Sequence, residues 1–182
     1  MNEFANRIAV DWHKTLERTL ELATHGWDVA VHYRRSQDEA SATAALAAGL
    51  GAAAKTFSAD LADEPCCAAL VPQVRQAFGR IDAVVNNAST FEHDEVESFS
   101  YARLEQMMRA NCAPAVVLGQ ALHAHLALRQ ASGCVVNVLD QKLWNPNPDH
   151  FSYTLSKAAL ESATTLMALA LDRKSTRLNS SH

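Results

Sequence analysis

Tyr153 and Lys157 stand four residues apart in a segment with helical patterning, 151 to about 171, so their side chains share one face. A phenol ionises near pH 10 and is a poor proton donor or acceptor at neutrality. An ammonium held nearby stabilises the phenolate, lowers that pKa and makes the tyrosine a usable general acid. A solvated helix can carry such a pair with no chemical role, so its surroundings decide. Asp140 lies upstream at the end of an apolar run. Asn111 sits in a long helical segment just before Pro114, where its amide could bond backbone freed by a kink. Asn86-Asn87-Ala88-Ser89 closes a further apolar run.

The elements that must position these groups follow from the pattern of the chain. Short valine-rich runs at 7–10, 28–33, 54–59, 83–87 and 133–139 lack strict alternation, as expected of strands covered on both faces. Helical patterns separate them. One spans 15–25 and stops at Gly26. Ser36 with Glu39 reads as a capping box opening an alanine-rich helix to Gly49. Pro65 and Pro72 blur the start of the helix before Phe78, and Ser100 precedes a helix from Tyr101 to about Leu126, kinked at Pro114. Repeated strand–helix–strand units predict a doubly wound parallel α/β sheet with right-handed crossovers. In such sheets ligands bind at the carboxyl ends of the strands, where Asp140 and Asn86–Ser89 fall.

The composition is that of a protein with a buried core: 182 residues, 48% hydrophobic and 20% charged, the length of one domain. No apolar run reaches the ~18 residues of a membrane span, and no leader pattern opens the chain. A net charge of -4 argues against nucleic acid as a standing partner. The four cysteines, Cys66, Cys67, Cys112 and Cys134, show neither metal-ligand nor disulfide-framework spacing, which suits a reduced, cytoplasmic protein. Cys66-Cys67 reads as one packed and one surface thiol. His123 and His125 do not share a helix face, so no metal site is expected there. Asp94, Glu95 and Glu97 read as a solvated loop.

Taken together, Tyr153-x-x-x-Lys157, Asp140, Asn111 and the Asn-Asn-Ala-Ser strand end resemble the short-chain dehydrogenase/reductase family. The branch it most resembles is pteridine reductase-like, which has Asn-Asn-Ala-Ser where others have Asn-Asn-Ala-Gly, and aspartate where most place serine. The resemblance covers 7–10 and about 20–171. It implies a Rossmann-like domain with Tyr153 as proton donor and Lys157 lowering its pKa and holding the nicotinamide ribose. It further implies that Asn111 holds a water feeding the lysine and that Asp140 assists protonation of a ring nitrogen. Phe91 would stack on a flat heteroaromatic substrate and Trp144 would line the pocket. Asn87, Ala88 and Ser89 would face the cofactor. Asp60-Leu61 would meet its adenine. Family members are often tetramers, so the parent protein is expected to be a homotetramer.

Cofactor choice also has a physical argument. An acidic residue after the second strand bonds a ribose 2′-hydroxyl, whereas arginine meets a 2′-phosphate. This chain has Arg34-Arg35-Ser36 there, beside a helix N-terminus, which favours NADPH.

Two stretches depart from the family pattern. A dinucleotide fold needs glycines after its first strand so that the pyrophosphate can approach backbone. After Val10 this chain reads Asp-Trp-His-Lys-Thr-Leu-Glu, without glycine, in a sequence holding only six. Read one base later, codons for residues 11–16 can encode Thr-Gly-Thr-Lys-Arg-Leu, so a compensated frameshift over about 11–17 is expected. Independent reads with in-frame Asp-Trp-His codons would remove that explanation. At the other end, residues 172–182 read as a translated sequencing-library adapter, leaving 1–171 as a single domain, incomplete at its C-terminal end.

The reading is an NADPH-dependent reductase of a pterin- or dihydrofolate-type C=N bond, with a small-molecule substrate and neither nucleic acid nor membrane as partner. Two alternatives stand beside it: a short-chain reductase of ketones or aldehydes, and a catalytically inert fragment of such an enzyme.

Overall fold

The computed structural model describes residues 7–10 and 15–178, with side chains over 16–171. The glycine-free stretch at 11–14 and residues 179–182 lie outside the described residues. Among the described residues five strands form: β1 (Arg7–Val10), β2 (Asp28–Tyr33), β3 (Ala54–Ser58), β4 (Ala83–Asn86) and β5 (Cys134–Asn137). β2 pairs in parallel with both β1 and β3, and β4 pairs in parallel with β5. β4 lies alongside β1, so the spatial order is β3-β2-β1-β4-β5. The order reverses direction between β1 and β4, the crevice where ligands of open α/β sheets bind. The expected doubly wound parallel architecture is the observed one.

Helices cover both faces: α1 (Thr15–Thr24), α2 (Gln37–Gly49), α3 (Glu64–Phe78), α4 (Tyr101–Asn111), α5 (Ala113–Arg129) and α6 (Phe151–Leu178). Val29, Ala30 and Val31 of β2 are wholly buried, which explains their continuous apolar run. On one face Val29 and Val31 meet Ala40 and Ala44 of α2. The larger core joins Leu70 and Val74 of α3 to Val84 of β4 and to Leu118 and Leu122 of α5.

Local chemistry sets the boundaries. Asp63 caps α3, its carboxylate accepting from the Cys66 N–H at 3.0 Å, and Pro65 occupies the first turn, where an N–H is dispensable. Pro72 stands within that helix. Ser100 caps α4 through the Arg103 N–H. The single kinked helix expected from Tyr101 is two helices meeting at Cys112, because Pro114 has no N–H to continue the ladder and takes the first turn of α5. Ser36 precedes α2, but its hydroxyl makes no capping bond; the acidic first turn of Asp38 and Glu39 supplies the favourable charge instead. α6 runs past the expected end near Leu171, since residues 172–178 contain neither glycine nor proline to stop it.

Below the sheet, away from the strand carboxyl ends, Asp82 pairs with Arg80 at 3.0 Å and Arg129 at 2.9 Å, and buried His125 accepts from the Ile81 N–H at 3.3 Å. His125 is thus a core residue. Cys66 is exposed and Cys67 buried, as expected, and all four thiols are free.

Gly133 enters β5 against this corner. A Cβ there would lie 2.5 Å from the Asp82 carbonyl oxygen and would collide with the Leu126 side chain. Gly133→Ala is expected to destabilise the fold by about 1–3 kcal/mol, read as a lowered denaturation midpoint.

Candidate active site

The carboxyl ends of β2, β3, β4 and β5 open into one cavity of about 790 Å³. Its floor is the pair singled out by spacing. Tyr153 and Lys157 enter from the first two turns of α6, and both are buried. Asp140, just beyond β5, accepts from the Tyr153 hydroxyl at 2.6 Å and from the Lys142 N–H at 2.9 Å, opening a short 3-10 turn at Gln141–Leu143. Lys157 donates to the Val138 carbonyl oxygen at 2.9 Å, with its ammonium 5.9 Å from the Tyr153 ring centre.

This geometry corrects the expected electrostatics. Burial, followed by the hydrogen bond to Asp140 and that group's charge, holds the Tyr153 phenol well above its ordinary value, against a smaller opposing bond from Ser89. Burial pulls the Lys157 ammonium below its usual range while Asp140 acts the other way. For Asp140 burial pushes upward, but the Tyr153 hydroxyl, the Lys142 N–H and the Lys142 and Lys157 charges prevail and hold the carboxyl low. One proton therefore sits on the phenol and points at a carboxylate. The closeness of Lys157 does not lower the tyrosine in this arrangement: burial first, and then the nearby carboxylate, hold the phenol up.

Asn111, also buried, bonds outside its own helix. Its Oδ1 accepts from the Thr90 N–H at 2.8 Å, and its Nδ2 donates to the Thr90 carbonyl oxygen and the Ser156 Oγ, each at 2.9 Å. The amide thus ties the loop after β4 to α6, and not, as expected, the backbone at the Pro114 break.

The other end of the cavity carries Arg34, Arg35 and Ser36 after β2 and Asp60 and Leu61 after β3. Arg34 and Asp60 are 3.9 Å apart, each about half exposed. Asn87, Ala88 and Ser89 line the middle, and Arg18 of α1 donates to the Asn87 amide oxygen.

Phe91 forms part of the wall and is 58% exposed. It stacks on His150 with ring centres 4.4 Å apart and meets Tyr153 edge-on at 5.6 Å. Trp144 does not join it. It closes the 3-10 turn, which carries it away from the cavity, and is 69% exposed.

Sequence reasoning missed Asp94. Expected in a solvated loop, it is 3% exposed. Its carboxylate accepts from the Ser152 N–H at 3.1 and 3.2 Å and from the Ser152 hydroxyl at 2.5 Å. The acidic run around it gave the sequence signal of solvent, and its partner lies 58 residues away.

These groups set a hydrogen-bonded phenol and carboxylate beside a crevice with a basic far end. Comparison with known proteins identifies the scaffold. Residues 16–181 match the family described as short chain dehydrogenase. The solved structure of FolM alternative dihydrofolate reductase 1 from Brucella canis, complexed with NADP, is 34% identical with a TM-score of 0.82, covering 91% of this chain and 68% of that one. The NADPH-dependent aldehyde reductase 1 of Arabidopsis thaliana is 30% identical over 167 residues, 87% of this chain. The uncharacterized oxidoreductase YohF of Escherichia coli is 26% identical over 163 residues, 90% of this chain. The chain spans 56% and 64% of the lengths of these two curated relatives. With the parallel sheet, the crevice and the family match all in agreement, the chain belongs to the short chain dehydrogenase family.

Proposed function

We propose that the protein is an NADPH-dependent reductase that adds hydride to the C=N bond of a pterin- or dihydrofolate-type substrate. The observation that carries this reading is the 2.6 Å bond from the Tyr153 hydroxyl to Asp140. A serine beside the tyrosine suits a carbonyl oxygen, which needs a donor only. A carboxylate can give and take a proton, which suits a basic ring nitrogen. The likeness to the Brucella alternative dihydrofolate reductase supports the same substrate class.

The residues at the basic end fit the cofactor. Arg34, Arg35 and Ser36 border the cavity beside the start of α2, so a 2′-phosphate would meet two guanidinium groups and a hydroxyl. The Arg34–Asp60 pair is long and exposed, of the kind that contributes little, and yields readily to a dianion. Asp60 and Leu61 would face the adenine, Asn87, Ala88 and Ser89 the centre of the dinucleotide, and Tyr153 and Lys157 the nicotinamide ribose. When bound, the nicotinamide supplies the hydride. Tyr153 gives its proton to the substrate nitrogen and recovers one from solvent, while the Asp140 carboxylate accepts from the Tyr153 hydroxyl and orients it. Lys157 holds the local charge in check. Phe91 offers a flat face to the ring, and Asn111 fixes the loop that carries Phe91. Trp144 would touch only a substrate that protrudes from the cavity.

Turnover of NADPH with dihydrobiopterin or dihydrofolate, set against simple ketones and aldehydes in the complete gene product, tests the substrate. Preference for the C=N substrates is expected. Preference for carbonyls would install the second reading, favoured by the likeness to an aldehyde reductase. Replacing both Arg34 and Arg35 with alanine is expected to weaken NADPH by about 10- to 100-fold and leave NADH within about threefold, measured as dissociation constants. The reading further takes residues 1–171 as one reductase domain with 172–182 extraneous, the parent as a cytoplasmic homotetramer, and the site as metal-free.

A further inference from the structure

We propose that Asp94 is a positioning residue that sets the angle of Tyr153, a role that rests on Tyr153 being the proton donor. Segment 92–94 runs as a strap along 149–152. The Asp94 N–H donates to the Asp149 carbonyl oxygen at 3.2 Å, and the Phe151 N–H donates to the Asp94 carbonyl oxygen at 3.1 Å. Asp94 and His150 form a parallel bridge, and the His150 Nδ1–H donates to the Glu92 carbonyl oxygen at 2.9 Å. At the end of this zipper the Asp94 carboxylate takes both the N–H and the O–H of Ser152, the residue directly before Tyr153.

A buried carboxylate is costly unless its oxygens are satisfied. Here Ser152 and the N-terminal end of α6 satisfy them. Capping alone does not require this arrangement, since Asp149 stands just before the helix and could serve locally. Drawing the carboxylate from a distant segment accomplishes more. The strap follows directly on Phe91, so one hydrogen-bonded unit joins the Phe91 wall, the His150 ring against it and the turn that presents the phenol. Loosening Ser152 would rotate that turn and lengthen the Tyr153–Asp140 bond, and a displacement of about 1 Å in a reacting group can cost about 100-fold in rate. Arg34, Arg35 and Ser36 follow β2, at the other end of the cavity from these contacts.

The test compares Asp94→Ala and Asp94→Asn in the complete gene product, using whichever substrate, C=N or carbonyl, the wild type reduces. Asp94→Ala is expected to lower kcat by about 10- to 100-fold with NADPH affinity within about twofold. Asp94→Asn should recover at least about fivefold of that loss, because its amide oxygen still accepts the Ser152 N–H. Equal losses in the two variants, or kcat and NADPH affinity falling together with the thermal midpoint, would overturn the proposal in favour of a folding role. Unchanged kcat in Asp94→Ala, with turnover lost in Tyr153→Phe, would overturn the role of Asp94 alone. Turnover kept in Tyr153→Phe would overturn the donor assignment beneath it.

Discussion

Replacing Tyr153 with phenylalanine is expected to lower NADPH-dependent turnover by about 10²- to 10⁴-fold, the usual contribution of a positioned general acid. NADPH affinity should change far less. The variant keeps the buried ring and its edge contact with Phe91, so packing is preserved and only the hydroxyl is lost. That hydroxyl belongs to a residue lining the cavity and donates to Asp140. Without it Asp140 loses one of the interactions holding its carboxyl low, while the Lys142 N–H and the Lys142 and Lys157 charges remain. Steady-state turnover and equilibrium NADPH binding, measured on the same preparation, check the result. A kcat within about tenfold of wild type would mean that another group delivers the proton.

The second large effect is expected from Asp140→Ser, and it has two readouts. On a C=N substrate, kcat should fall by about 10- to 100-fold, while carbonyl turnover holds or rises, since serine remains a donor to a carbonyl oxygen. The pH profile should change as well. In the wild type Asp140 lies below its ordinary 3.8 and Tyr153 above its ordinary 10.0, so the pair keeps its single transferable proton across the whole neutral range. Its kcat should therefore be flat there. Of the three causes that raise the phenol, burial would persist in the variant, but the Asp140 hydrogen bond and charge would both be gone. The tyrosine pKa then falls, the proton is lost at lower pH, and an alkaline decline in kcat moves toward neutrality. A decline that stays put would show that burial alone sets the phenol.

Much of this architecture was legible because the information is local. β1 and β2 have their expected bounds, and β3, β4 and β5 are shorter than expected by one to a few residues at their ends. The Tyr153/Lys157 pair could be read because four-residue spacing fixes a helix face. What could not be read depends on neighbours distant in sequence. Nothing near Tyr153 announces its burial or its hydrogen bond to Asp140, so an expectation built on Lys157 alone has the wrong sign. Sequence nearness points Asn111 to the break at Pro114, whereas its partners are Thr90 and Ser156. Asp94 sits among acids that signal solvent, and only the fold brings Ser152 to it. The resemblance puts Trp144 at the pocket, but it does not say which way a short turn carries the ring.

The strand pairing has a consequence for how such a protein can change. Arg34, Ser36 and Asp60 hang from the β1–β2–β3 ladder, whereas Asp140 follows β5 of the β4–β5 ladder and meets Tyr153 there. Substitutions that retune nucleotide preference and those that retune the reacting bond therefore fall on separate ladders. Effects at separated, unlinked positions combine additively. A lineage on this scaffold can exchange one property while conserving the other, and each step can be selected separately.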